Sequence, residues 1–394
     1  MTEGEFHPQP CLQENSVTDA LPPSETHPRQ SPLHDVHAAA GASFTDFAGW
    51  MMPVRYSSDL AEHHAVRDAA GIFDISHMAE IRVDGPDAAA FLDYALAGKL
   101  SAVATDQAKY SLLLDTAGGI IDDLVAYRRG DNSYLVVANA GNRVPVAEAL
   151  ASRAAEFDVT VTDASDEISL IAVQGPRSRE IVEATVGIVG LTLALDELKY
   201  YWSTNGRFDG VPLMVGRTGY TGEDGFELYI QADAAASLWA ALTTAGEPFG
   251  LVPAGLASRD TLRLEAGMPL YGHELGLDTL PVQAGLGRVV NLKKEGDFVG
   301  RNASEVGAPE TARVLVGLTS EGKRAGRAGY AVFNGDDEVG AITSGALSPT
   351  LGHPIAMAYV DPGLSAPGTT LAIDVRGSRV AASVVTLPFY KREA

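Results

Sequence analysis

The sequence predicts an α+β protein of mostly antiparallel sheets with flanking helices, followed by a separate C-terminal β domain. The first observation is a meander of three strands, at residues 109–114, 120–127 and 133–139, joined by short Gly- and Asp-rich turns. The second is that strand and helix patterns alternate between residues 162 and 246. The third is that short strands separated by Gly, Pro and Asn-Gly turns follow residue 285 or so.

The N-terminal third begins with a stretch that lacks the composition of a folded element. Residues 1–32 are rich in Pro, Glu, Gln, Ser and Thr, which predicts a disordered tail. The pattern over residues 58–70 fits a helix that Gly71 stops. A strand ending at Val83 is followed by a turn and a helix, with Pro86 as the first helical residue.

The later elements have clearer boundaries. The segment GVPLMVGRTGYTGEDGFELYIQ (210–231) reads as two strands around a Gly-rich turn, and ADAAASLWAALTTAG (232–246) as an amphipathic helix ending at Gly246. The strands of the C-terminal β domain are predicted in RVLVGLTS (313–320), AVFNGDDEVGAITSG (331–345), AMAYV (356–360) and VAASVVTLPFY (380–390).

Charge and cysteine content exclude several classes of protein. With 51 acidic and 29 basic side chains the net charge is −22, so the surface should repel nucleic acid and anionic membranes. The single cysteine, Cys11, excludes an intrachain disulfide and a cysteine-based zinc or iron–sulfur site. We expect no metal, and a reducing cytoplasm as the compartment.

Targeting and catalytic motifs are missing from the sequence. No apolar run approaches the roughly 18 residues of a membrane helix, and the first residues have no secretory or organellar pattern. A dinucleotide fingerprint after a strand, a P-loop, a G-x-S-x-G elbow and an H-E-x-x-H zinc motif do not occur. Kinase-like, serine-hydrolase and zinc-protease functions therefore lose their main support.

The stretch GGIIDDLVAY (118–127) carries two adjacent carboxylates, Asp122 and Asp123, inside the predicted middle strand of the meander. Aspartate is disfavoured in strands and costly to bury. Side chains alternate along a strand, so the two carboxylates face opposite sides, and Asp123 shares a face with Tyr127 about 13 Å away. Either one carboxylate occupies a semi-buried functional site, or the strand is frayed and both reach water.

For two further candidate sites, the residues alone leave both a functional and a surface role open. Glu227 follows the Gly-rich turn, on the polar face of its strand, where it either meets solvent or binds a ligand. Arg259 and Arg263 lie four residues apart on a predicted helix with acidic neighbours, a pattern that also fits a surface lattice of ion pairs.

Taken together, the segments resemble the aminomethyltransferase family, the T-protein of the glycine cleavage system. The resemblance runs from about residue 33 to near the C-terminus, in the same order and with similar spacing. The matching segments are DFAGWMMPVRY (46–56), HHAVRDAAGIFDISHM (63–78), KYSLLLDTAGGIIDDLVAY (109–127), IAVQGP (171–176), RTGYTGEDGFELYI (217–230), ASRDTLRLEAGMPLYGHEL (257–275) and ITSGALSPTLGHPIAMAYV (342–360).

The resemblance implies a reaction, a co-substrate and a partner. The lipoylated H-protein carries an aminomethyl group on its lipoyl sulfur. The T-protein transfers the one-carbon unit to tetrahydrofolate, giving 5,10-methylenetetrahydrofolate, ammonia and the reduced lipoyl arm. It also implies a functional association with glycine decarboxylase (P-protein) and dihydrolipoamide dehydrogenase (L-protein).

The resemblance also assigns roles to individual residues. Asp123 matches the carboxylate that lies beside the reacting amine of the folate. This carboxylate raises the nucleophilicity of the amine and stabilises cationic character during transfer. The resemblance also implies that this carboxylate can take up a proton. Asp122, on the other face, is then structural. Glu227 matches the pterin-binding glutamate, and Arg259 an arginine that holds an anionic or carbonyl group. The positions that line the folate cavity are Tyr110, Tyr127, Met78, Tyr220 and, with less support, Asn139.

By resemblance, three domains form a cloverleaf around a folate-binding cavity, the last of them β-barrel-like or jelly-roll-like. Residues 33–76 and 165–281 would form a discontinuous first domain, 77–164 an inserted second domain with the catalytic aspartate, and 282–394 the third.

Two functions from neighbouring classes stay open. A folate-dependent demethylase of a small methylated substrate could share Asp123 and Glu227. A non-enzymatic folate-binding protein would carry the stretch K-G-C-Y-x-G-Q-E, which this sequence lacks, and a flavin dehydrogenase would need the missing dinucleotide fingerprint.

Overall fold

Residues 28–392 are described by this computed structural model, and within them eight α-helices accompany three sheets and a closed barrel. The helices are α1 (His34–Ala39), α2 (Asp59–Asp68), α3 (Ala88–Ala95), α4 (Arg143–Arg153), α5 (Ser178–Ala184), α6 (Ala235–Gly246), α7 (Leu256–Glu265) and α8 (Arg301–Val306). Most strand pairs are antiparallel, which confirms the predicted α+β class.

The N-terminal strands form a small three-stranded sheet in the order β1-β3-β2. They are β1 (Arg29–Gln30), β2 (Ser43–Phe47) and β3 (Trp50–Arg55). Most of the predicted tail, residues 1–27, lies outside the described residues. The prediction that the tail continues to residue 32 is wrong, because β1 pairs with Trp50 and Met51 and the buried Ser31 donates to Asp74.

The predicted meander is confirmed as part of a five-stranded antiparallel sheet in the order β6-β7-β8-β5-β9. The strands are β5 (Ala79–Asp84), β6 (Ala108–Leu114), β7 (Ile120–Gly130), β8 (Ser133–Ala138) and β9 (Thr160–Asp163). β7 is an inner strand between β6 and β8. Asp122 and Asp123 pair with Leu113 and Leu112 of β6, and the pairing with β8 begins at Val125, so the two carboxylates do not lie on a frayed edge strand.

A seven-stranded sheet in the order β11-β12-β13-β14-β10-β4-β15 lies across from it. The strands are β4 (Ala70–Asp74), β10 (Ile168–Gln174), β11 (Ile188–Val189), β12 (Ser203–Phe208), β13 (Val211–Gly216), β14 (Gly225–Gln231) and β15 (Leu251–Pro253). The edge strand β15 runs parallel to β4, and the other pairs in this sheet are antiparallel.

The C-terminal strands close into a barrel in the order β16-β19-β18-β17-β20-β21. They are β16 (Val314–Ser320), β17 (Ala331–Asn334), β18 (Asp337–Leu347), β19 (Pro354–Val360), β20 (Thr370–Val375) and β21 (Ser378–Val385). The predicted C-terminal β domain is confirmed, although its first strand begins at Val314. The segment between residue 285 and this strand contains α8 instead of strands.

Apolar side chains form separate cores in these layers. One core lies between the seven-stranded sheet and α5 and α6, a second between the five-stranded sheet and α3 and α4, and a third inside the barrel. A further cluster, which includes Phe73, Tyr127, Leu135, Met214 and Tyr229, fills the space between the two large sheets. Some members of this cluster, among them Tyr229 and Val137, also line a cavity between the sheets.

Two predicted element boundaries are wrong for local reasons. Helix α2 ends at Asp68, and Gly71 lies inside β4 instead of stopping the helix. A Cβ at Gly71 would come within 2.5 Å of Val66 Cγ2, so glycine is needed for close packing of the helix on its strand. Helix α3 begins at Ala88, after a turn that contains Pro86.

The predicted domain limits stay a proposal that the strand connectivity supports. The seven-stranded sheet combines β4 with strands that follow residue 167, and the strands of the five-stranded sheet all come from the interval between them. We therefore propose that residues 33–76 and 165–281 form one domain, that 77–164 are inserted into it, and that 282–394 form the third.

Buried ion pairs tie α7 to the barrel and to α2. Arg263 donates to Glu274 at 3.1 Å and to Ser344 of β18 at 2.7 Å. Glu265 accepts from Arg67 of α2 at 2.8 Å and from the backbone N–H of Thr350 at 3.0 Å. These contacts fix the orientation of α7, whose first turn faces the space between the sheets.

We expect Gly255→Ala to lower the free energy of unfolding by about 1–3 kcal/mol, because overpacking forces backbone shifts. A Cβ at Gly255, the N-cap of α7, would lie 2.4 Å from the carbonyl of Val54 in β3. Gly363→Ala is the matched control, since a Cβ there meets nothing within 4 Å. Urea unfolding of both variants tests this, and equal stability would contradict the predicted clash.

Candidate active site

A cavity of about 830 Å³ lies where the two large sheets, β2 and α7 meet. Its wall is mostly apolar, with a few carboxylate, amide and guanidinium groups. It brings together all but one of the residues proposed from the sequence, namely Asp123, Glu227, Arg259, Tyr110, Met78, Tyr220 and Asn139.

Asp123 borders the cavity from the first half of β7, and both of its carboxylate oxygens accept hydrogen bonds. The Tyr110 hydroxyl donates to Oδ2 at 3.0 Å, and the side-chain amide of Asn139 donates to Oδ1 at 2.9 Å. Burial raises the pKa of Asp123 to about 6, although the two donors oppose the rise. The carboxylate is therefore mostly ionised at neutral pH and takes up a proton when the pH falls to about 6.

Asp122 points to the opposite side of the strand and is completely buried, as the alternation predicted. Its carboxylate accepts from the backbone N–H of Asn139 at 2.9 Å, from the Asn139 side chain at 2.9 Å and from the Asn142 side chain at 2.6 Å. Burial and the charge of Asp123 raise the pKa of Asp122 to about 7, and the three donors lower it.

Glu227 reaches the cavity from β14. The Thr218 hydroxyl donates to its Oε2 at 2.5 Å, and Tyr229 lies 3.5 Å from the same oxygen. Burial raises the pKa of Glu227, while Thr218 and the nearby Arg259 oppose the rise. The site thus holds a half-buried carboxylate on the cavity wall that has room to accept further donors.

Arg259 projects into the cavity from α7 instead of joining a surface lattice of ion pairs. Its Nη1 is buried and has no hydrogen-bond partner. The guanidinium carbon lies 5.1 Å from the ring centroid of Tyr220, whose hydroxyl donates to the Pro269 carbonyl. Burial lowers the pKa of Arg259, opposed mainly by Glu227. A buried guanidinium N–H without a partner indicates that a ligand acceptor belongs beside it.

Tyr127 is the exception among the predicted cavity residues. Although it shares a strand face with Asp123, it is fully buried and does not line the cavity. Its hydroxyl lies 2.7 Å from the Thr218 hydroxyl, and Thr218 in turn donates to Glu227. The expectation that Asp123 and Tyr127 border the same cavity is wrong. Thr218 and Glu227 line the cavity, and Tyr127 lies behind them in the hydrogen-bonded series.

The Gly-rich turn before β14 holds Thr218 and Glu227 in place by closing on the buried side chain of Gln174. A Cβ at Gly219 would lie 2.0 Å from Gln174 Oε1, and one at Gly225 would lie 2.3 Å from Gln174 Nε2. Gln174 donates to the Thr218 carbonyl at 3.1 Å. The two glycines are therefore required for the close approach of the turn to Gln174.

Sequence reasoning missed some residues of the cavity wall. Thr218, Asn142 and His77 all line it. Burial lowers the pKa of His77 to about 4, so it is neutral, and its Nδ1 is buried without a partner. Proximity in the sequence to Met78 was a signal for His77, whereas Asn142 is brought in by a 3-10 turn (Ala140–Asn142) that no motif marks.

Comparison with known families gives two matches that together span most of the chain. Residues 33–294 match the model of the GCVT N-terminal domain. Residues 313–391 match the glycine cleavage T-protein C-terminal barrel domain. The chain belongs to the glycine cleavage T-protein family. The family predicted from the sequence is thereby confirmed.

Individual relatives match the sequence of this T-protein over nearly their full length. An aminomethyltransferase of Cutibacterium acnes is 64% identical, over 92% of this chain and 99% of the relative. One from Moorella thermoacetica is 45% identical, over 92% and 98%. The crystal structure of the glycine cleavage system aminomethyltransferase T from Bartonella henselae has a TM-score of 0.85 at 36% identity, covering 92% of this chain and 98% of that one. These matches confirm the predicted fold and the predicted class of enzyme.

Residues 28–392 lack two other kinds of feature. No grouping of three or more His, Cys, Asp and Glu side chains that could hold a metal ion is found in this part of the chain. Nor does the described part contain a helix long and apolar enough to cross a membrane.

We expect Tyr110→Phe to raise the pKa of Asp123 above its value of about 6, since the lost hydroxyl donates to the ionised carboxylate. A ¹³C NMR titration of the carboxyl resonance measures this shift. Tyr134→Phe is the control, because the Tyr134 hydroxyl donates to the Leu100 carbonyl in the same sheet layer. An unchanged or lowered pKa in Tyr110→Phe would contradict the described contact.

Proposed function

We propose that this T-protein transfers the one-carbon unit of an aminomethylated lipoyl arm, carried by the H-protein, to tetrahydrofolate. The products are ammonia, 5,10-methylenetetrahydrofolate and the reduced lipoyl arm. The observation that carries the proposal is the meeting of Asp123, Glu227 and Arg259, from β7, β14 and α7, in a single cavity of about 830 Å³.

The residues of the cavity fit a folate. Pockets for small organic ligands typically have volumes of about 300–1,000 Å³, apolar walls and a few polar groups that fix orientation. Here the apolar wall suits a flat ring system, the Glu227 carboxylate suits paired N–H donors, and the unpartnered Nη1 of Arg259 suits a ligand oxygen. Tetrahydrofolate supplies the amine that receives the one-carbon unit.

Glu227 and Arg259 orient the co-substrate in this proposal. Two carboxylate oxygens can accept together from the amino group and the adjacent ring N–H of a pterin. The Thr218 hydroxyl and the packed Tyr127 behind it hold the Glu227 carboxylate in place. Arg259, stacked on Tyr220, then binds a carbonyl or carboxylate oxygen of the same ligand.

Asp123 acts on the reacting end. Its ionised carboxylate lies in a desolvated wall, where a negative charge stabilises positive charge developing nearby more strongly than it would in water. With a pKa of about 6 it can also accept a proton at Oδ1 or Oδ2 and release it again near neutral pH. Tyr110 and Asn139 hold the carboxylate so that it faces the cavity.

The thiol chemistry belongs to the lipoyl arm of the H-protein, in agreement with the single cysteine of this chain lying in residues 1–27. We further propose that the protein works with glycine decarboxylase and dihydrolipoamide dehydrogenase, and that it does so in the cytoplasm. A demethylase or a non-enzymatic folate-binding protein would use the same pterin contacts, so the assay below is chosen to separate them.

We expect Asp123→Asn to lower kcat by about 100- to 1,000-fold, as for the loss of a preorganised electrostatic group. The Kd for tetrahydrofolate should change little, since Glu227 and Arg259 remain. The measurement is ammonia release from aminomethylated H-protein, with and without tetrahydrofolate, together with fluorescence titration of tetrahydrofolate.

The control for this variant is Asp131→Asn, whose exposed carboxylate lies in the turn after β7. It should retain the wild-type rate. Wild-type turnover in Asp123→Asn would remove the assigned role of Asp123. The absence of any folate-dependent ammonia release by the wild-type protein would remove the proposed function and favour the demethylase or the binding protein.

We expect Glu227→Gln to raise the Kd for tetrahydrofolate by about 10- to 100-fold, because a charge-assisted hydrogen bond contributes about 1.5–3 kcal/mol. At saturating folate, kcat should fall much less than in Asp123→Asn. The exposed Glu247→Gln serves as the matched control. A Glu227→Gln variant with wild-type affinity would show that the pterin binds elsewhere in the cavity.

A further inference from the structure

We propose that Asp122 is a positioning residue for catalysis, which acts through Asn139 on the carboxylate of Asp123. Asp122 is fully buried and is not part of the cavity wall, so it cannot touch a ligand. In the described structure it is linked to the carboxylate of Asp123 through the hydrogen bonds that it accepts from Asn139. The inference rests on the proposed function, because it concerns the same site.

The contacts of Asn139 define this route. Asn139 follows the last residue of β8 and so comes to lie beside the first residues of β7. Its backbone N–H donates to Asp122 Oδ2 at 2.9 Å and its side-chain amide to Asp122 Oδ1 at 2.9 Å. The same amide nitrogen lies 2.9 Å from Asp123 Oδ1 and 3.0 Å from the Asp123 carbonyl, so its two hydrogens serve three acceptors and one of them is shared. One amide thus joins the buried carboxylate to the cavity carboxylate.

The identity of the neighbours decides which way the Asn139 amide points. Each oxygen around Nδ2 belongs to a carboxylate or a carbonyl and only accepts. If the amide rotated by half a turn, its own oxygen would face Asp122 Oδ1 and Asp123 Oδ1, and three acceptors would repel one another. The two oxygens of Asp122, which accept from the backbone N–H and the side-chain amide of Asn139, therefore select the orientation in which Asn139 donates to Asp123.

This orientation matters because Asp123 is otherwise held on one side only. Tyr110 of β6 donates to Oδ2 and Asn139, just after β8, donates to Oδ1, so the plane of the carboxylate is defined by two donors on opposite sides of β7. Loss of the Asn139 donor would free the carboxylate to rotate about its Cβ–Cγ bond. A displacement of about 1 Å at a catalytic group is enough to cost on the order of 100-fold in rate.

A second amide supports the ionised form of Asp122. Asn142 donates to Asp122 Oδ1 at 2.6 Å and to the Ile121 carbonyl at 3.1 Å. The donors to Asp122 are all N–H groups, which a protonated, hydrogen-donating carboxyl would satisfy poorly. This explains why the strand carries aspartate here and not asparagine, although a neutral side chain of the same shape would be cheaper to bury.

The test is a double-mutant cycle with Asp122→Asn and Asn139→Ala. Asp122→Asn keeps the shape but lets the Asn139 amide turn its oxygen towards Asp123. We expect kcat to fall by about 10- to 100-fold with the Kd for tetrahydrofolate changed less than about threefold. If Asp122 acts through Asn139, the double variant should be no more than about threefold slower than the slower single variant.

A matched control is Asp93→Asn, which removes another carboxylate that accepts backbone N–H groups, from Leu100 and Ser101, away from the cavity. It should keep the wild-type kcat. Wild-type kcat in Asp122→Asn would overturn the inference. So would a double variant in which the two losses multiply. Should Asp122→Asn fail to fold, Asn139→Ala decides alone, since weaker folate binding with an unchanged kcat would contradict a positioning role.

A readout without turnover separates this inference from the proposed function. In protein with ¹⁵N-labelled asparagine, the Asn139 side-chain amide, assigned with Asn139→Ala, should exchange its protons with water at least tenfold faster in Asp122→Asn than in wild type. Unchanged exchange would overturn the route through Asn139. Faster exchange in an enzyme that shows no folate-dependent ammonia release would leave the contact intact and remove only the proposed function.

Discussion

Burying two adjacent carboxylates in an inner strand is the constraint on which the site depends. Each ionised carboxylate loses its hydration and needs hydrogen-bond donors in return. The described structure supplies them from both sides of β7: Tyr110 lies on β6, Asn139 directly follows β8, and Asn142 ends the 3-10 turn that comes next. Because the donors come from three segments, the strands must keep their register for the carboxylates to be tolerated at all.

The same principle extends to the rest of the cavity wall. Thr218 donates to Glu227, and Tyr127 from the opposite sheet contacts Thr218. Strand β7, which carries Asp123, therefore also helps to hold the Glu227 carboxylate on β14. Arg259 is carried by α7, which the buried pair of Arg263 and Glu274 fastens to the segment that follows and to the barrel. The barrel therefore contributes to the site by holding α7, although its strands are remote from Asp123.

Much of the fold followed from local patterns. The meander, the hairpin around the Gly-rich turn, helix α6 and the C-terminal β domain all have strong periodicity and clear turn residues, and all are confirmed. The misplaced boundaries lie where packing decides. Gly71 looks like a helix stop but is a strand residue under Val66, and Arg29 belongs to a tail-like sequence but pairs with Trp50.

At the level of single residues, the sequence by itself determined that Asp122 and Asp123 point to opposite faces, because alternation is a property of any strand. It also determined, through its resemblance to a family, which residues to look for. Only the tertiary structure decided that Tyr127 lies behind Thr218, that Arg259 faces a cavity and not solvent, and that Asn139 joins the two aspartates. These are contacts between segments far apart in the chain, and no local pattern records which side chain will lie between two others.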